Sequence, residues 1–161
     1  MIATLTYEQY ALMADIFKYP TSGIKLQVLD VVSVLKQDYP EAAEALQRYA
    51  DWVSETDQHE IEEVYAKTFH IQAICYLDLG FVIFGEDYKR GEFLVNMKRE
   101  QAAVNNDCGE ELPDNLGSVL TLLPLIEDEN FREELAGRVM IPALRMMLKE
   151  FGDRRIEIRA K

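Results

Sequence analysis

Apolar residues recur at helical intervals along this sequence, and no segment shows the strict apolar–polar alternation that predicts a half-buried strand. The first stripe includes Leu5, Tyr7 and Tyr10. It stops before Tyr19-Pro20, because the residue that precedes a proline is disfavoured in a helix. The remaining helices are predicted over 24–35, 41–53, 73–84, 86–102 and 113–125, with one that opens at Asp57 and two more within 127–148.

Capping and turn residues divide this pattern. Asp57 and Glu60 form a D-x-x-E capping box, which predicts a helix start. Gly85 suits a left-handed helix end, and Glu86 or Asp87 suits the start of the next helix. The breaks therefore fall between apolar stripes, as they do in helical bundles.

Three later predictions depend on apolar content and on proline. The nearly all-apolar stretch 73–84 predicts a buried central helix. Pro113 is expected at the first turn of a helix that continues through Leu125. In the stretch 127–148, Pro142 is expected either to break the helical path or to open its second helix.

The length of the chain limits the fold class. At 161 residues it is most simply one domain. We therefore predict an all-α, single-domain helical bundle of about 7–9 helices. The domain is expected over residues 1–151, and the charged stretch 152–161 is expected to be a frayed tail.

Charge limits the classes of partner. The formal net charge is −12, so the surface repels nucleic acid and favours a basic partner. Acidic residues are concentrated in 51–63 and 107–114. Such runs are most often solvated helix faces. Two readings therefore stay open: a binding surface for a basic partner, or ordinary solvated faces. No apolar run approaches the ~18–20 residues of a membrane span, and the first residues lack the pattern of a secretory signal.

Catalytic and metal-binding patterns are not found. Neither His59 nor His70 follows a glutamate by three positions, as di-iron bundles require. Cys75 lies in an apolar stretch that raises a thiol pKa and makes the thiol inert. With Cys108 it makes only two cysteines, which is typical of free thiols in a reducing cytoplasm. We predict no enzyme activity, no metal and no cofactor.

Four motifs occur in order, namely YAKTFHI (65–71), CYL (75–77), GEDYKRG (85–91) and ELPDNL (111–116). Together they resemble the NarJ/TorD/DmsD family of cytoplasmic chaperones that mature molybdenum enzymes, and the nitrate reductase delta-subunit (NarJ-type) branch is the most similar. The resemblance covers about residues 13–125. His70 stands where the family has an acidic residue, and Asn115 where it has His or Tyr.

The resemblance implies a TorD/NarJ-like bundle that binds the N-terminal leader of a molybdopterin oxidoreductase catalytic subunit in the cytoplasm and assists cofactor insertion. It further implies a monomer or a homodimer. Two other classes stay open: a structural subunit of a redox complex, and a small helical metal carrier or enzyme. The residues expected to bind the partner are Tyr76, Phe84, Glu86, Asp87, Arg90, Glu111, Leu112, Pro113, Asp114 and Asn115.

The aromatic residues of 76–84 have two readings. Tyr76, Leu77, Phe81 and Phe84 lie at helical spacings and would line a peptide groove, or they are simply core. We expect Phe81 to be a core residue. We expect Phe84 to border the point where the chain returns to the surface at Gly85, and so to contact a peptide.

Overall fold

The computed structural model describes residues 8–152, which form an all-α bundle as predicted, within the expected range of 7–9 helices. The α-helices are α1 (Glu8–Ile16), α2 (Ile24–Leu35), α3 (Pro40–Glu55), α4 (Gln58–Phe69), α5 (Leu79–Phe84), α6 (Tyr88–Ala103), α7 (Leu116–Leu122), α8 (Glu129–Glu134) and α9 (Ile141–Gly152). A 3₁₀ turn, Leu123–Leu125, extends α7. The predicted frayed tail lies outside the described residues, apart from Gly152 at the end of α9.

The apolar core has a large part, a smaller part and a third cluster of Val31, Leu35 and Ala43 between α2 and α3. The larger part lies between α1, α5, α6, α7 and α9, where Leu79, Val119 and Ala143 have no exposed surface. The smaller part joins α2, α3 and α4 through residues such as Val28. Ile16 of α1 packs against the smaller part, so α1 links the two.

The predicted capping positions are confirmed. The Glu60 N–H donates to Asp57 Oδ1 at 3.1 Å and starts α4. The Lys89 N–H donates to Asp87 Oδ1 at 2.9 Å and starts α6. Gly85 ends α5 with φ +62, in the region where a side chain would be strained.

The predicted central helix over 73–84 is wrong in its first half. Only α5 is helical, and residues 73–78 are irregular. The backbone pairs instead with another segment: the Leu116 N–H donates to Leu77 O at 2.8 Å, and the Leu79 N–H donates to Asp114 O at 3.0 Å. Apolar content reports burial, and it does not distinguish a helix from a buried irregular segment.

The helix predicted to begin at Pro113 begins three residues later, at Leu116. Its N-cap is Asn115, whose Oδ1 accepts the Gly117 N–H at 3.0 Å. Pro113 and Asp114 lie in the preceding turn. The prediction is wrong because Asn is a strong N-cap residue and because Asp114 is used elsewhere in the fold.

Pro142 is the second residue of α9, so the reading in which it breaks the helical path is wrong. The helical path is unbroken, because a π-helical segment, Leu135–Met140, joins α8 to α9. Proline has no N–H to donate to the preceding turn. The wider π turn directly before Pro142 accommodates that missing hydrogen bond.

The surface of the bundle carries short-range ion pairs. Lys18 with Asp15 and Lys67 with Glu63 are pairs three or four positions apart. Such exposed pairs contribute little to stability. Within residues 8–152, every helix is too short or too polar to cross a lipid bilayer.

Candidate functional site

The two segments that hold most of the predicted binding residues meet at an antiparallel bridge between Asp78 and Asn115. The Asn115 side chain reinforces this contact. Its Nδ2 donates to Asp78 Oδ1 at 3.5 Å and to Glu111 Oε2 at 3.3 Å. Asn115 therefore holds both segments together while it caps α7. We refer to the paired residues 77–79 and 114–116 as the bridge.

Asp114 lies inside the bridge rather than on the surface. Its side chain has 0% exposed area, and its Oδ2 accepts the Gly80 N–H at 2.8 Å. Gly80 is the second residue of α5, so a side chain distant in sequence caps this helix. Asp114 acts through the position of α5 and does not itself offer a surface to a partner.

Gly80 is required at this contact. A Cβ at this position would lie 2.7 Å from Asp114 Oδ2 and 2.8 Å from Phe93 Cδ1. Both distances are shorter than real Cβ contacts. The close approach of α5 to the buried carboxylate therefore depends on the absence of a side chain.

The environment of Asp114 disfavours its charge. Burial raises the pKa of the Asp114 carboxyl above its ordinary value, and the Asp78 carboxylate acts in the same direction. The Gly80 N–H and the positive charge of Arg90 lower that pKa but do not cancel the effect of burial. Within the described residues, Asp114 Oδ1 and Arg90 Nε are buried without a hydrogen-bond partner.

An aromatic cluster lies at the other end of the bridge. The Tyr76 and Phe81 rings pack edge to face, with centroids 4.7 Å apart. The Arg90 guanidinium carbon lies 5.2 Å from the centroid of Phe81, which is a cation–π contact. Arg90 of α6, predicted to bind a partner, is thereby fixed against α5.

The expectation that Phe81 is a core residue needs correction. Phe81 is half-buried, so its assignment to the core is wrong. Phe84 is also half-buried and packs against Phe93, with ring centroids 5.8 Å apart. Phe81 lines a cavity beside Tyr76, whereas Phe84 does not.

The first cavity, of about 250 Å³, lies between residues 73–76, α5 and α9. Its wall consists of mainly apolar side chains and one carboxylate, namely Ala73, Ile74, Cys75, Tyr76, Phe81, Val82, Met146, Met147 and Glu150. Tyr76 and Met146 are each 43% exposed, so the cavity opens to solvent. We call it the Tyr76 cavity.

A second opening, of about 490 Å³, lies between α6 and the 108–113 loop. Its lining includes the predicted residues Glu111, Leu112 and Pro113. Leu112 is 42% exposed and Val95 of α6 is 66% exposed. This opening, which we call the Leu112 groove, is mainly apolar at its surface.

The acidic corner after α5 is solvent-exposed. Glu86 and Asp87 are both exposed, and Asp87 also caps α6. Neither lines the Tyr76 cavity or the Leu112 groove. The structure therefore gives Asp87 a structural role and places Glu86 on the surface beside the start of α6.

The first motif, residues 65–71, contacts the segment that follows α1. The Tyr65 hydroxyl donates to Phe17 O at 2.6 Å, and the Phe69 and His70 rings pack against the Tyr65 ring. Burial raises the pKa of Tyr65 to about 12, and the Glu111 carboxylate adds to the increase. Phe17, whose carbonyl accepts the hydrogen bond from Tyr65, lines one cleft together with Glu111, which brings the first and fourth motifs to the same region.

The cysteines and histidines show no arrangement for chemistry. Burial raises the pKa of the Cys75 thiol to about 11, with a further contribution from the Glu150 carboxylate, as expected for an inert thiol. His59 is exposed on α4. The described residues include no group of His, Cys, Asp and Glu side chains that would hold a metal ion.

Comparisons with known proteins add no family. Neither family models nor curated proteins give a match to this chain.

Sequence reasoning missed Met146, Met147 and Glu150, which line the Tyr76 cavity from α9. These residues are distant in sequence from the four motifs, so the motifs do not indicate them. The one available signal is the adjacent pair of methionines, since methionine is frequent at adaptable binding surfaces.

Proposed function

We propose that this protein is an assembly chaperone that binds the N-terminal leader of a molybdopterin oxidoreductase catalytic subunit of the nitrate reductase-like group. In this proposal it acts in the cytoplasm and holds the subunit competent for cofactor insertion before release. The four motifs support the choice of client class. The bridge is the observation that carries the proposal, because it joins the second and fourth motifs at one place.

The surfaces on either side of the bridge suit a peptide. Tyr76 directly precedes the bridge and opens the Tyr76 cavity, and Pro113 directly precedes it on the other segment and lines the Leu112 groove. An amphipathic peptide docks by placing apolar side chains into such openings. The hydrogen-bonded bridge preorganises them, which reduces the entropy lost when a peptide binds.

The proposed action needs no bond-making residue. A chaperone that binds the open apo-subunit better than the finished one shifts the population toward the open form. Affinity of about −8 kcal/mol, which corresponds to a micromolar dissociation constant, is sufficient for a partner that must later be released.

The proposal is tested by recovering the full-length chain from its native host and identifying the proteins bound to it. We expect a molybdopterin oxidoreductase catalytic subunit, and we expect capture to be lost when that subunit lacks its leader. Leu112→Ser should weaken capture. Leu26→Ser, which changes a 69% exposed leucine on α2, is the matched control and should not.

Two results would contradict the proposal. One is capture that is unchanged when the leader is deleted. The other is a set of partners without any molybdenum oxidoreductase subunit.

A further inference from the structure

We infer that the Tyr76 cavity is the subsite for an apolar side chain of the bound leader, and that Glu150 at its edge pairs with an arginine of the same peptide. This inference rests on the proposed function and names the chemistry that the leader must carry. The residues that form the subsite come from α5, the irregular segment before it and α9. None of the α9 residues belongs to the four motifs.

The size of the cavity limits its occupant. At about 250 Å³ it is smaller than the ~300–1,000 Å³ of typical small-molecule pockets. It therefore suits one or two side chains of a peptide better than a whole cofactor. Met147, 6% exposed, and Cys75, 2% exposed, form an apolar floor.

The rim of the cavity offers adaptable apolar contacts. Tyr76 and Met146 are each 43% exposed. A methionine reshapes its side chain at little cost, and a tyrosine adds a rigid ring with few rotatable bonds. The rim thus accepts either an aliphatic or an aromatic anchor.

The charge of the cavity lining favours a positively charged residue beside the apolar anchor of the peptide. Glu150 is the charged residue of the cavity wall, and it is exposed. The described lysines and arginines form no ion pair with it. Glu150 and the buried Cys75 line the same cavity, so the carboxylate lies beside its apolar floor. A guanidinium that approaches this carboxylate gains a charge-assisted hydrogen bond.

The overall charge makes a second copy of this chain a poor occupant. The protein carries a net charge of −12, so two copies repel each other on approach. A basic peptide is attracted by the same field. Charge complementarity therefore favours an arginine-bearing peptide over self-association.

The test uses synthetic alanine-rich helical peptides as probes, titrated by calorimetry against the full-length protein. One peptide carries a phenylalanine and an arginine four positions apart, hence on one face. The others replace the arginine by glutamine, the phenylalanine by alanine, or both. The protein variants are Glu150→Gln and the control Glu133→Gln. Glu133 is an exposed residue on α8, and its replacement changes the net charge by the same amount.

We expect Glu150→Gln to weaken binding of the arginine-containing peptide about three- to tenfold. The affinity for the glutamine-containing peptide should not change. Glu133→Gln should leave both affinities unchanged. Loss of the phenylalanine should weaken binding to every variant.

The inference is overturned if the probe does not bind, or if Glu150→Gln and Glu133→Gln have equal effects. Self-association that disappears in Glu150→Gln would also overturn it, because the occupant would then be a second copy. The native catalytic subunit is not used here. Leader-dependent capture without the expected peptide affinities would reject the subsite and retain the proposed function. The expected peptide affinities without capture would show a site for an apolar and basic peptide, and would reject the leader as its ligand.

Discussion

The contact between Gly80 and Asp114 determines how closely two distant segments approach. The carboxylate accepts a backbone hydrogen bond at 2.8 Å where a Cβ would lie only 2.7 Å away. Close packing and helix capping are therefore satisfied by the same pair of residues. Substitutions at either residue test the bridge directly.

Gly80→Ala is expected to destabilise the protein by about 1–3 kcal/mol, because the added methyl group displaces Asp114 or Phe93. Gly91→Ala is the matched control. Gly91 lies within α6, and its Cβ would meet nothing within 4 Å. That change should stabilise the protein by about 0.5–1 kcal/mol. Denaturant melts of both variants measure the difference, and equal effects would show that the contact is loose.

Asp114→Ala is expected to cost about 1–3 kcal/mol, because it leaves the buried Gly80 N–H without an acceptor. Asp114→Asn retains an oxygen for that hydrogen bond and should cost less at neutral pH. The free energy of unfolding, measured by denaturant titration, checks the order. A larger loss for Asn than for Ala would mean that the capping contact is not what Asp114 contributes.

The raised pKa of Asp114 predicts a pH dependence of stability. Because burial raises this pKa above 3.8, the folded protein retains the Asp114 proton to higher pH than the unfolded chain does. The resulting contribution to stability is fully present below pH 3.8 and is lost as pH rises through the folded pKa. Asp114→Asn does not titrate, so it should gain relative to the native protein as pH rises from about 4.

Denaturant melts at a series of pH values measure this difference. Asp38→Asn, a change to an exposed carboxylate, controls for net charge. A difference between the native protein and Asp114→Asn that does not vary with pH would show that Asp114 has the same pKa folded and unfolded.

At the scale of the element, α5 is much shorter than its apolar sequence suggests. Its six residues follow a backbone held by the bridge, so the two phenylalanines face different surroundings. Phe81 contacts Tyr76 and Arg90 beside the cavity, and Phe84 packs on Phe93. We therefore predict that Phe81, rather than Phe84, contacts a bound peptide, which is the opposite of the expectation from the sequence.

Phe81→Ala is accordingly expected to weaken binding of an arginine-containing leader peptide, with a stability loss below the ~3–5 kcal/mol of a fully buried phenylalanine. Phe84→Ala should lower stability by removing the contact with Phe93, and should leave affinity unchanged in the folded protein. Peptide titrations and melts of both variants decide between the two assignments. Normal peptide affinity in Phe81→Ala would show that the cavity is not part of the peptide-binding surface.

The elements that the sequence predicts well are those with local determinants. Asp57, Asp87 and Gly85 act on the adjacent backbone, so their roles can be read from neighbouring residues. The irregular segment before α5 depends instead on hydrogen bonds from 114–116. The position of Asp114 likewise depends on Gly80, which no local rule connects to it.

At the scale of the whole molecule, the excess of acidic residues should govern association. With a net charge of −12, affinity for an arginine-containing leader peptide is expected to fall as salt rises. Screening acts beyond about 8 Å at physiological ionic strength, so close contacts at the site are less affected. Calorimetric titration at low and high salt measures the change. Affinity independent of salt would mean that the acidic residues are only solvated faces.

The all-α class of the whole molecule follows from periodicity, because apolar stripes at helical spacing leave no alternative pattern for a sheet. The candidate site follows only in part. The motif residues of 111–115 were identifiable in the sequence, but the wall formed by Met146, Met147 and Glu150 required the packing of α9 against α5.

The bridge cannot form in the newly made chain until both of its segments have been synthesised. Asp78 and Asn115 are 37 positions apart, so residues 77–79 leave the ribosome well before their partners. At about 5–20 residues per second, the interval is about 2–7 s. During that time α5 lacks the carboxylate that caps it, and the Leu112 groove does not yet exist. The bridge and the Leu112 groove therefore form only after residues 108–116 have been synthesised.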